Sequence, residues 1–413
     1  MIVFLFSNSY PYDYAIEQTF LKGEVEILRK RFERVILVPR IAQGNLLSVP
    51  ESVEVDTSLA DSFTFSRRVA ESILAFFSKD FYLDLKNRLP ASLAPTYLRK
   101  LFSFIAGANL TLKWMQNWLK SNNVLADEVI CYTFWFDEIT MGLGLAKKQY
   151  PALRVVSRTH GYDLYEEMYG LWPCRPRAIE LIDGLFADSD IGEHYLRQKY
   201  PRFTEKYGAS LLGVKDPGGF AKPSEDGVLR LVSCSMLNPI KRIDLLFEGI
   251  ITAARMRPEQ TIEWNHFGDG DARQNYINRI ASEFPSNAKG FFSGYQTQRE
   301  LFQAYLNNPV DVFVNVSSTE GTPVSIMEAI SCGIPVVATA VGGNVEIVQE
   351  RNGFLLSENP TPQEIAETLL KVCDNRAMML KKRRGSLEIW QERYNETTNF
   401  EAFAQKLVEI RKR

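Results

Sequence analysis

Cysteine is scarce in this chain, and its spacing does not suit a staple. Five occur in 413 residues (Cys131, Cys174, Cys234, Cys332 and Cys373), an odd number with neither a CxxC pair nor a His-Cys metal spacing. That argues against a disulfide framework, and the five read as buried thiols in a reducing compartment. Long apolar runs are missing too: nothing approaches the roughly 18 residues that cross a bilayer. The opening MIVFLFSNSYP has no basic n-region and breaks at a Ser/Asn/Pro turn. It reads as a first buried strand and not as a signal peptide, so a cytoplasmic protein is expected. Excess charge of one sign is also lacking, with 48 Lys and Arg against 50 Asp and Glu and a formal net charge of -2. The whole chain gives no electrostatic reason to expect nucleic acid as a partner.

What is present is an ordinary folded composition, 45% hydrophobic and 24% charged, in a chain long enough for two or three domains. Strand-like apolar runs alternate with amphipathic stretches such as AIEQTFLKGEVEILRKR. IVFLFS, RVILVPR, EVICYTFWF, LRVVSRTHG and GLFADS lie in the first half; LRLVSCSML, TIEWNHFGDG, GFFSGY, VDVFVNVSS, PVVATAVGG and GFLL lie in the second. This pattern predicts an α/β protein with two doubly wound parallel sheets and crossover helices. GVKDPGGFAKPSEDG, residues 213–227, is rich in Gly, Pro and charge and reads as a linker between a domain of residues 1–212 and one of 228–390. Residues 391–413 read as a closing amphipathic helix. Ligands of such sheets bind beyond the carboxyl ends of the strands, and two sheets facing each other make a cleft.

Residues 60–120 interrupt the alternation with a long helical region, aromatic and more basic than acidic. One reading is crossover helices packed on the first sheet. The other is a basic face for peripheral contact at the inner surface of a membrane, with Trp114 and Trp118 at its edge.

The segment STEGTPVSIMEAISCGIPVVATAVGG, residues 318–343, sets Glu320 and Glu328 on either side of a turn made by Gly321, Thr322 and Pro323. A strand precedes the turn, and a helix follows from Val324 and Ser325. A helix start after a glycine turn offers free N–H groups and a positive dipole end, which suits phosphate. Carboxylates beside it suit hydroxyls, because each accepts two hydrogen bonds and matches a vicinal diol. A nucleotide diphosphate sugar carries both groups. Glu320 is therefore assigned to the sugar hydroxyls and Glu328 to the ribose. In NPIKRIDLL, Lys241 and Arg242 follow the strand LRLVSCSML and supply cations for a departing diphosphate. Taken alone, that pair also reads as a solvated helix start.

The run from FFSGYQTQRELF to NVEIV resembles the donor domain of glycosyltransferase family 4, whose members have the GT-B fold. The marks are Glu320, seven residues, Glu328, then GIPVVAT and Gly342-Gly343; HFGDG, Asp311 in VDVFV and NGFLL resemble further parts. The likeness covers most of residues 228–400. It implies GT-B architecture, two Rossmann-like domains facing across a cleft, with 228–390 as the donor domain and 1–212 as the acceptor side. It implies that Glu320 contacts the transferred sugar and Glu328 the ribose. The backbone from Gly321 through Thr322, Pro323 and Val324 to Ser325 would then hold phosphate, with Lys241 opposite. The sequence departs from the family where an arginine five residues before the lysine is Met236 and the glycine after it is Arg242.

In the first half, SRTHGYDLYEE resembles the His-bearing loop of related polysaccharide enzymes. That implies a role for His160 in bonding the donor sugar or placing the acceptor, with Asp163 on the acceptor side. A lone histidine is otherwise most often structural. SNSYPYDYAIEQTF resembles the acceptor-side loop, where Glu17 and Phe20 match and Tyr10, Tyr12 and Tyr14 are candidate contacts.

The resemblance thus implies a retaining hexosyltransferase. It would move a hexose from a UDP- or GDP-sugar to a glycan or lipid-linked acceptor in exopolysaccharide, capsule or lipopolysaccharide assembly. Neither cofactor nor metal is expected: DSD at 188–190 and DGD at 269–271 read as turn and cap chemistry. A nucleotide-sugar epimerase, a phosphorylase and a non-catalytic scaffold partner are the competing readings on the same fold.

Overall fold

The computed structural model describes residues 1–14, 17–89 and 94–412. The chain forms two compact units, Met1–Leu212 with Thr397–Arg413, and Gly213–Glu396.

The first unit is built on seven parallel strands: β1 (Ile2–Ser7), β2 (Arg34–Pro39), β3 (Val53–Val55), β4 (Val129–Thr133), β5 (Arg154–Thr159), β6 (Gly184–Ala187) and β7 (Tyr207–Ala209). Their order is β3-β2-β1-β4-β5-β6-β7. Five of these match the apolar runs in the sequence. The two edge strands, β3 and β7, are three residues each and too short to show a period. β1 is buried along its whole length, as a central parallel strand covered on both faces must be. The helical stretch read from Ala15 begins, among the described residues, at Gln18; Ala15 and Ile16 lie outside them.

The C-terminal helix Glu396–Lys412 buries Phe400, Phe403, Ala404, Leu407 and Ile410 in one cluster with Val3, Leu5, Tyr132 and Phe186. It also seals a buried ion pair. Arg158 on β5 meets Glu24 of the helix Gln18–Arg31 at 3.1 Å, and its guanidinium lies 4.4 Å from the ring centroid of Phe403.

Between β3 and β4 run the helices Ser58–Ser62, Phe65–Leu74, Lys79–Asn87 and Pro95–Asn122; residues 90–93 lie outside the described part. Trp114 and Trp118, offered above as a membrane edge, point the other way. Their rings stand edge-on to Phe4, at 6.2 and 4.7 Å, and their N–H groups bond Ser58 and Asp56, both at 2.8 Å. Indole rings with a satisfied N–H belong in a core.

The second unit has six parallel strands: β8 (Leu229–Cys234), β9 (Ile262–Phe267), β10 (Ala288–Gly294), β11 (Val312–Asn315), β12 (Val336–Thr339) and β13 (Gly353–Leu356), in the order β10-β9-β8-β11-β12-β13. Residues 213–227, read as a linker, are not a free tether. Asp311 accepts from the Ser224 N–H and hydroxyl at 2.9 and 2.7 Å, Arg383 bonds the Ala221 carbonyl at 2.5 Å, and the Val310 N–H bonds the Lys222 carbonyl at 2.8 Å. Backbone polar groups that cannot join a sheet find partners elsewhere, and here they are this unit's own side chains and backbone.

In each sheet the strand order reverses direction at one point, between β1 and β4 and between β8 and β11. Loops leaving such a pair diverge and open a crevice at the carboxyl ends. Among the described residues no helix is long and apolar enough to cross a membrane.

Candidate active site

In the second unit the crevice is where the two glutamates lie. β8 and β11 are adjacent and parallel, with Leu231 opposite Val312 and Val232 opposite Phe313. The loops that follow them therefore emerge side by side. After β8 a short turn, Pro239–Lys241, delivers Lys241. After β11 the loop delivers Glu320. The Lys241 ammonium lies 2.7 Å from Glu320 Oε1, and the same oxygen accepts from Asn315 at 3.0 Å and from the Ser317 hydroxyl at 2.6 Å. Glu320 is thus a fixed carboxylate with one oxygen fully engaged.

Arg242 stitches the two loops. Its backbone is left-handed, with φ at 48°, and its guanidinium bonds the carbonyls of Val316, Ser317 and Glu358 at 2.6, 2.8 and 2.9 Å and the Asn359 side chain at 3.2 Å. Four of the guanidinium N–H groups expected to face phosphate are thus engaged by the loops themselves. Met236, at the place of the family arginine, is 70% exposed and brings no charge.

The turn through Gly321, Thr322 and Pro323 enters the helix Val324–Ser331. The N–H groups of Gly321, Thr322, Val324 and Ser325 find no acceptor among the described residues, as the first turn of any helix requires. Gly342 and Gly343 back this turn. Gly343 donates to the Gly321 carbonyl at 2.9 Å, and a Cβ on Gly342 would stand 1.8 Å from the Glu320 carbonyl oxygen. Glu328 sits inside the helix, 7% exposed, and accepts from the Gln298 amide at 3.0 Å. Burial pushes its carboxyl up to about 7. HFGDG shapes the neighbouring loop, since Leu237 and Ser235 N–H bond the carbonyls of Asp269 and Phe267, both at 2.9 Å.

In the first unit the corresponding crevice is a cavity of about 760 Å³, lined at the carboxyl ends of four strands by Asn8, Arg40, Trp135, Asp137, Tyr162 and Asp163, with Arg68, Arg99 and Lys100 opposite. His160 is buried behind the lining, its ring 4.7 Å from that of Trp135 and 4.3 Å from that of Phe134, centroid to centroid. Both imidazole nitrogens are buried without a hydrogen-bond partner among the described residues. Burial, and after it the Arg158 charge, holds the ring well below its ordinary value, so it is neutral.

Three expected acceptor contacts are instead structural. Asp163 accepts from the N–H groups of Phe136 and His160, both at 2.6 Å, and from the Thr159 hydroxyl at 2.8 Å. Glu17 accepts from the N–H groups of Asn8, Ser9 and Tyr10 at 2.9, 2.6 and 3.0 Å and from the Trp135 indole. Tyr10 is buried, with its phenol pushed up to about 12 by burial. Buried carboxylates need this many donors, and they hold the loops that carry Trp135 and His160. Tyr12 is half-buried beside Leu46, and Tyr14 is exposed on the cavity rim.

Asn315, Ser317 and Gln298, which hold the two glutamates, and Arg40, Arg68, Arg99 and Trp135 of the cavity were not singled out by sequence reading. Among the described residues no three His, Cys, Asp or Glu side chains converge as metal ligands; Asp188 and Asp190 flank the helix-capping Ser189, and the Asp269 carboxylate accepts from the adjacent Gly270 N–H.

The family model of the glycosyl transferases group 1 matches residues 229–375. Over that stretch the chain is similar to the glycosyl transferases group 1. The group 1 domain thus comprises β8 to β13 and every residue of the Glu320 site. Its curated relatives include a UDP-N-acetylglucosamine–peptide N-acetylglucosaminyltransferase GtfA subunit of Streptococcus agalactiae, 29% identical over 140 residues, which are 33% of this chain and 26% of that protein. They also include a GDP-mannose-dependent monoacylated alpha-(1-6)-phosphatidylinositol monomannoside mannosyltransferase of Corynebacterium glutamicum, 23% identical over 55% of this chain and 63% of the relative. The chain spans about a quarter of the streptococcal relative's length. Among solved structures, the lipopolysaccharide outer core galactosyltransferase WaaB aligns over 99% of both chains with a TM-score of 0.68 at 13% identity. The fold, with its group 1 domain, is GT-B.

Proposed function

We propose that this protein is a nucleotide-sugar-dependent glycosyltransferase. One observation carries the reading: Glu320 and Lys241, brought together at the β8/β11 switch point, stand before the unpaired N–H groups that open the helix Val324–Ser331. Diphosphate oxygens meet those amides and Lys241, Glu320 takes sugar hydroxyls through its remaining oxygen, and Glu328 takes the ribose. The resemblance of the domain to one UDP-sugar and one GDP-sugar enzyme supports a UDP- or GDP-hexose as donor.

Chemically, the bond between the anomeric carbon and the β-phosphate oxygen breaks while the acceptor oxygen bonds the same carbon. The acceptor proton passes to the departing phosphate, and configuration is retained. Lys241 and the helix amides stabilise the charge on the leaving group, so no metal is needed. The acceptor is a glycan or lipid-linked glycan of cell-surface polysaccharide assembly, and the enzyme works in the cytoplasm at the inner face of the membrane.

The test is a panel of UDP-, GDP- and ADP-sugars with purified protein, read as thermal stabilisation and nucleotide release, repeated with chelator and with Glu320→Ala. One donor stabilising the wild type, unaffected by chelator and lost in the variant, supports the proposal. Donor turnover to a different sugar without acceptor points to an epimerase, turnover dependent on inorganic phosphate to a phosphorylase, and silence to all donors to a scaffold.

A further inference from the structure

The helix Phe65–Leu74 is turned inside out. Its inward side is polar: Glu71 is buried against Lys113, and Arg68 donates to Ser103 at 2.6 Å. Its outward side is apolar, with Phe65, Val69, Ile73 and, in the turn beyond, Phe77 spaced four residues apart along one stripe; Phe65 is 84% and Phe77 85% exposed. A soluble helix usually presents the opposite pattern, and an apolar stripe left outside marks a binding surface.

Phe65, Val69 and Ile73 of the stripe, with Phe76, form one wall of a groove of about 900 Å³, whose other wall is Pro95, Leu98 and Phe102 of the helix Pro95–Asn122. Arg68, Arg99 and Ser103 line both this groove and the cavity at the carboxyl ends of the first sheet. An apolar channel therefore adjoins the polar cavity along Arg68, Arg99 and Ser103. Of the four cations of that cavity, Arg40 is paired with Glu138 at 3.0 Å, and Lys100 donates to the Leu171 carbonyl while lying 4.2 Å over Trp172. Arg68 has one donor engaged, and Arg99 is exposed and makes no hydrogen bond or ion pair among the described residues. Over residues 60–120 nine Lys and Arg stand against four Asp and Glu, so the surroundings favour an anion.

We infer that this channel binds the lipid part of the acceptor: a long-chain lipid phosphate whose apolar chain lies along Phe65, Val69, Ile73, Phe76 and Phe102 and whose phosphate is held by Arg68 and Arg99. The inference rests on the first unit being the acceptor side. It adds the chemical class of the acceptor's anchor and the residues that read it. Guanidinium groups match phosphate bidentately, and the chain supplies apolar burial that a free glycan lacks. The phosphate at the junction leaves the attached sugar in the cavity, beside Trp135.

The test needs no donor. The full chain is titrated with farnesyl phosphate, farnesol and inorganic phosphate below the detergent-like range, followed by intrinsic fluorescence or calorimetry. Farnesyl phosphate is expected to bind on the order of tenfold or more tighter than either fragment. Arg99→Glu abolishes the advantage of the phosphate over the alcohol, and Phe65→Ser, at a position too exposed to matter for folding, weakens both lipids several-fold. Equal binding of farnesol and farnesyl phosphate, or binding untouched by Arg99→Glu, overturns the site. So does a wild-type dimer that Phe65→Ser dissolves while farnesyl phosphate stays unbound, because a second copy then covers the stripe. If farnesyl phosphate binds as stated and no nucleotide sugar stabilises the protein, the transferase reading fails and the lipid site stands.

Discussion

Lys241 and Glu320 lie 79 residues apart in sequence and 2.7 Å apart in space, with Ser317 and Asn315 closing on the same carboxylate oxygen. The juxtaposition follows from topology: both residues leave adjacent parallel strands at the same edge, on either side of the switch point. Three donors converge on one oxygen, and no hydrogen bond to the other is found among the described residues.

Removing either partner tests that arrangement. Lys241→Ala and Glu320→Gln are each expected to lower transfer by about 10²–10³-fold, the usual loss when one electrostatic stabiliser of a transition state is removed. Stability should move by less than about 1 kcal/mol, because the pair is only partly buried and solvent screens it. The double variant should lose less than the sum of the two, since the groups act on one leaving group and its sugar. Donor turnover together with a melting curve checks this; a melt lowered far beyond that bound with residual turnover intact would make the pair a structural brace.

Glu328 gives a pH signature. Its folded carboxyl, raised by burial to about 7, keeps its proton over a range where the unfolded chain, with an ordinary value of 4.5, has lost it. Between those values the folded state binds more protons, so stability falls as pH rises from about 4.5 to about 7 and is level above; the loss is on the order of 3 kcal/mol. Glu328→Gln removes this slope and leaves the protein more stable at pH 8 than the wild type. Ribose hydroxyls are best accepted by the ionised form, so donor affinity in the wild type should rise as pH passes 7, and in the variant it should not. Denaturant melts and donor titrations at pH 5, 6, 7 and 8 measure both.

The alternation of apolar runs was enough to read eleven strands, nine of them central and two, β10 and β13, at the edges of the second sheet, because each is at least four residues long and largely apolar; β3 and β7, three residues each, carry no such signal. Glu320, Glu328 and Lys241 drew attention in the sequence because a glycine turn between strand and helix marks a backbone able to hold phosphate, and folding sets Lys241 against Glu320. Asn315, Ser317 and Gln298 were not: a polar residue becomes part of a site only through a neighbour that folding supplies, and Gln298 reaches Glu328 from 30 residues away. Glu17 and Asp163 fail in the opposite sense. As letters they look free, but each is ringed by backbone N–H groups, and sequence does not reveal whether an acid's donors come from ligand or from chain. The helix Phe65–Leu74 shows its amphipathic period plainly, yet period does not say which face turns outward.

Gly342 is the geometric keystone of the Glu320 loop. Its φ is +46°, and an added Cβ would fall 1.8 Å from the Glu320 carbonyl oxygen, closer than any real contact. Gly342→Ala is expected to destabilise the protein by about 1–3 kcal/mol, through left-handed strain and the displaced backbone, and to abolish donor-dependent stabilisation. Asn at the same position tolerates left-handed φ but keeps the Cβ clash. It should therefore fail as alanine does, and a Gly342→Asn protein with intact donor binding would show that the close approach is dispensable.

Arg242 separates bracing from phosphate binding. Its guanidinium bonds three backbone carbonyls and Asn359 across the loops after β8, β11 and β13. Arg242→Ala is then expected to cost about 2–4 kcal/mol, as several charge-assisted bonds to partly buried carbonyls are lost at once, and to lower kcat and raise KM together as both loops loosen. Lysine at this position reaches one carbonyl and not three, so Arg242→Lys should recover only a minor part of the stability. A cation acting directly on the diphosphate predicts the reverse: lysine restores donor binding, the melt hardly changes, and donor affinity falls steeply with salt in the wild type but not in the alanine variant. Melting curves and donor titrations at two ionic strengths on the three proteins decide between them, and the carbonyl partners around Arg242 favour the brace.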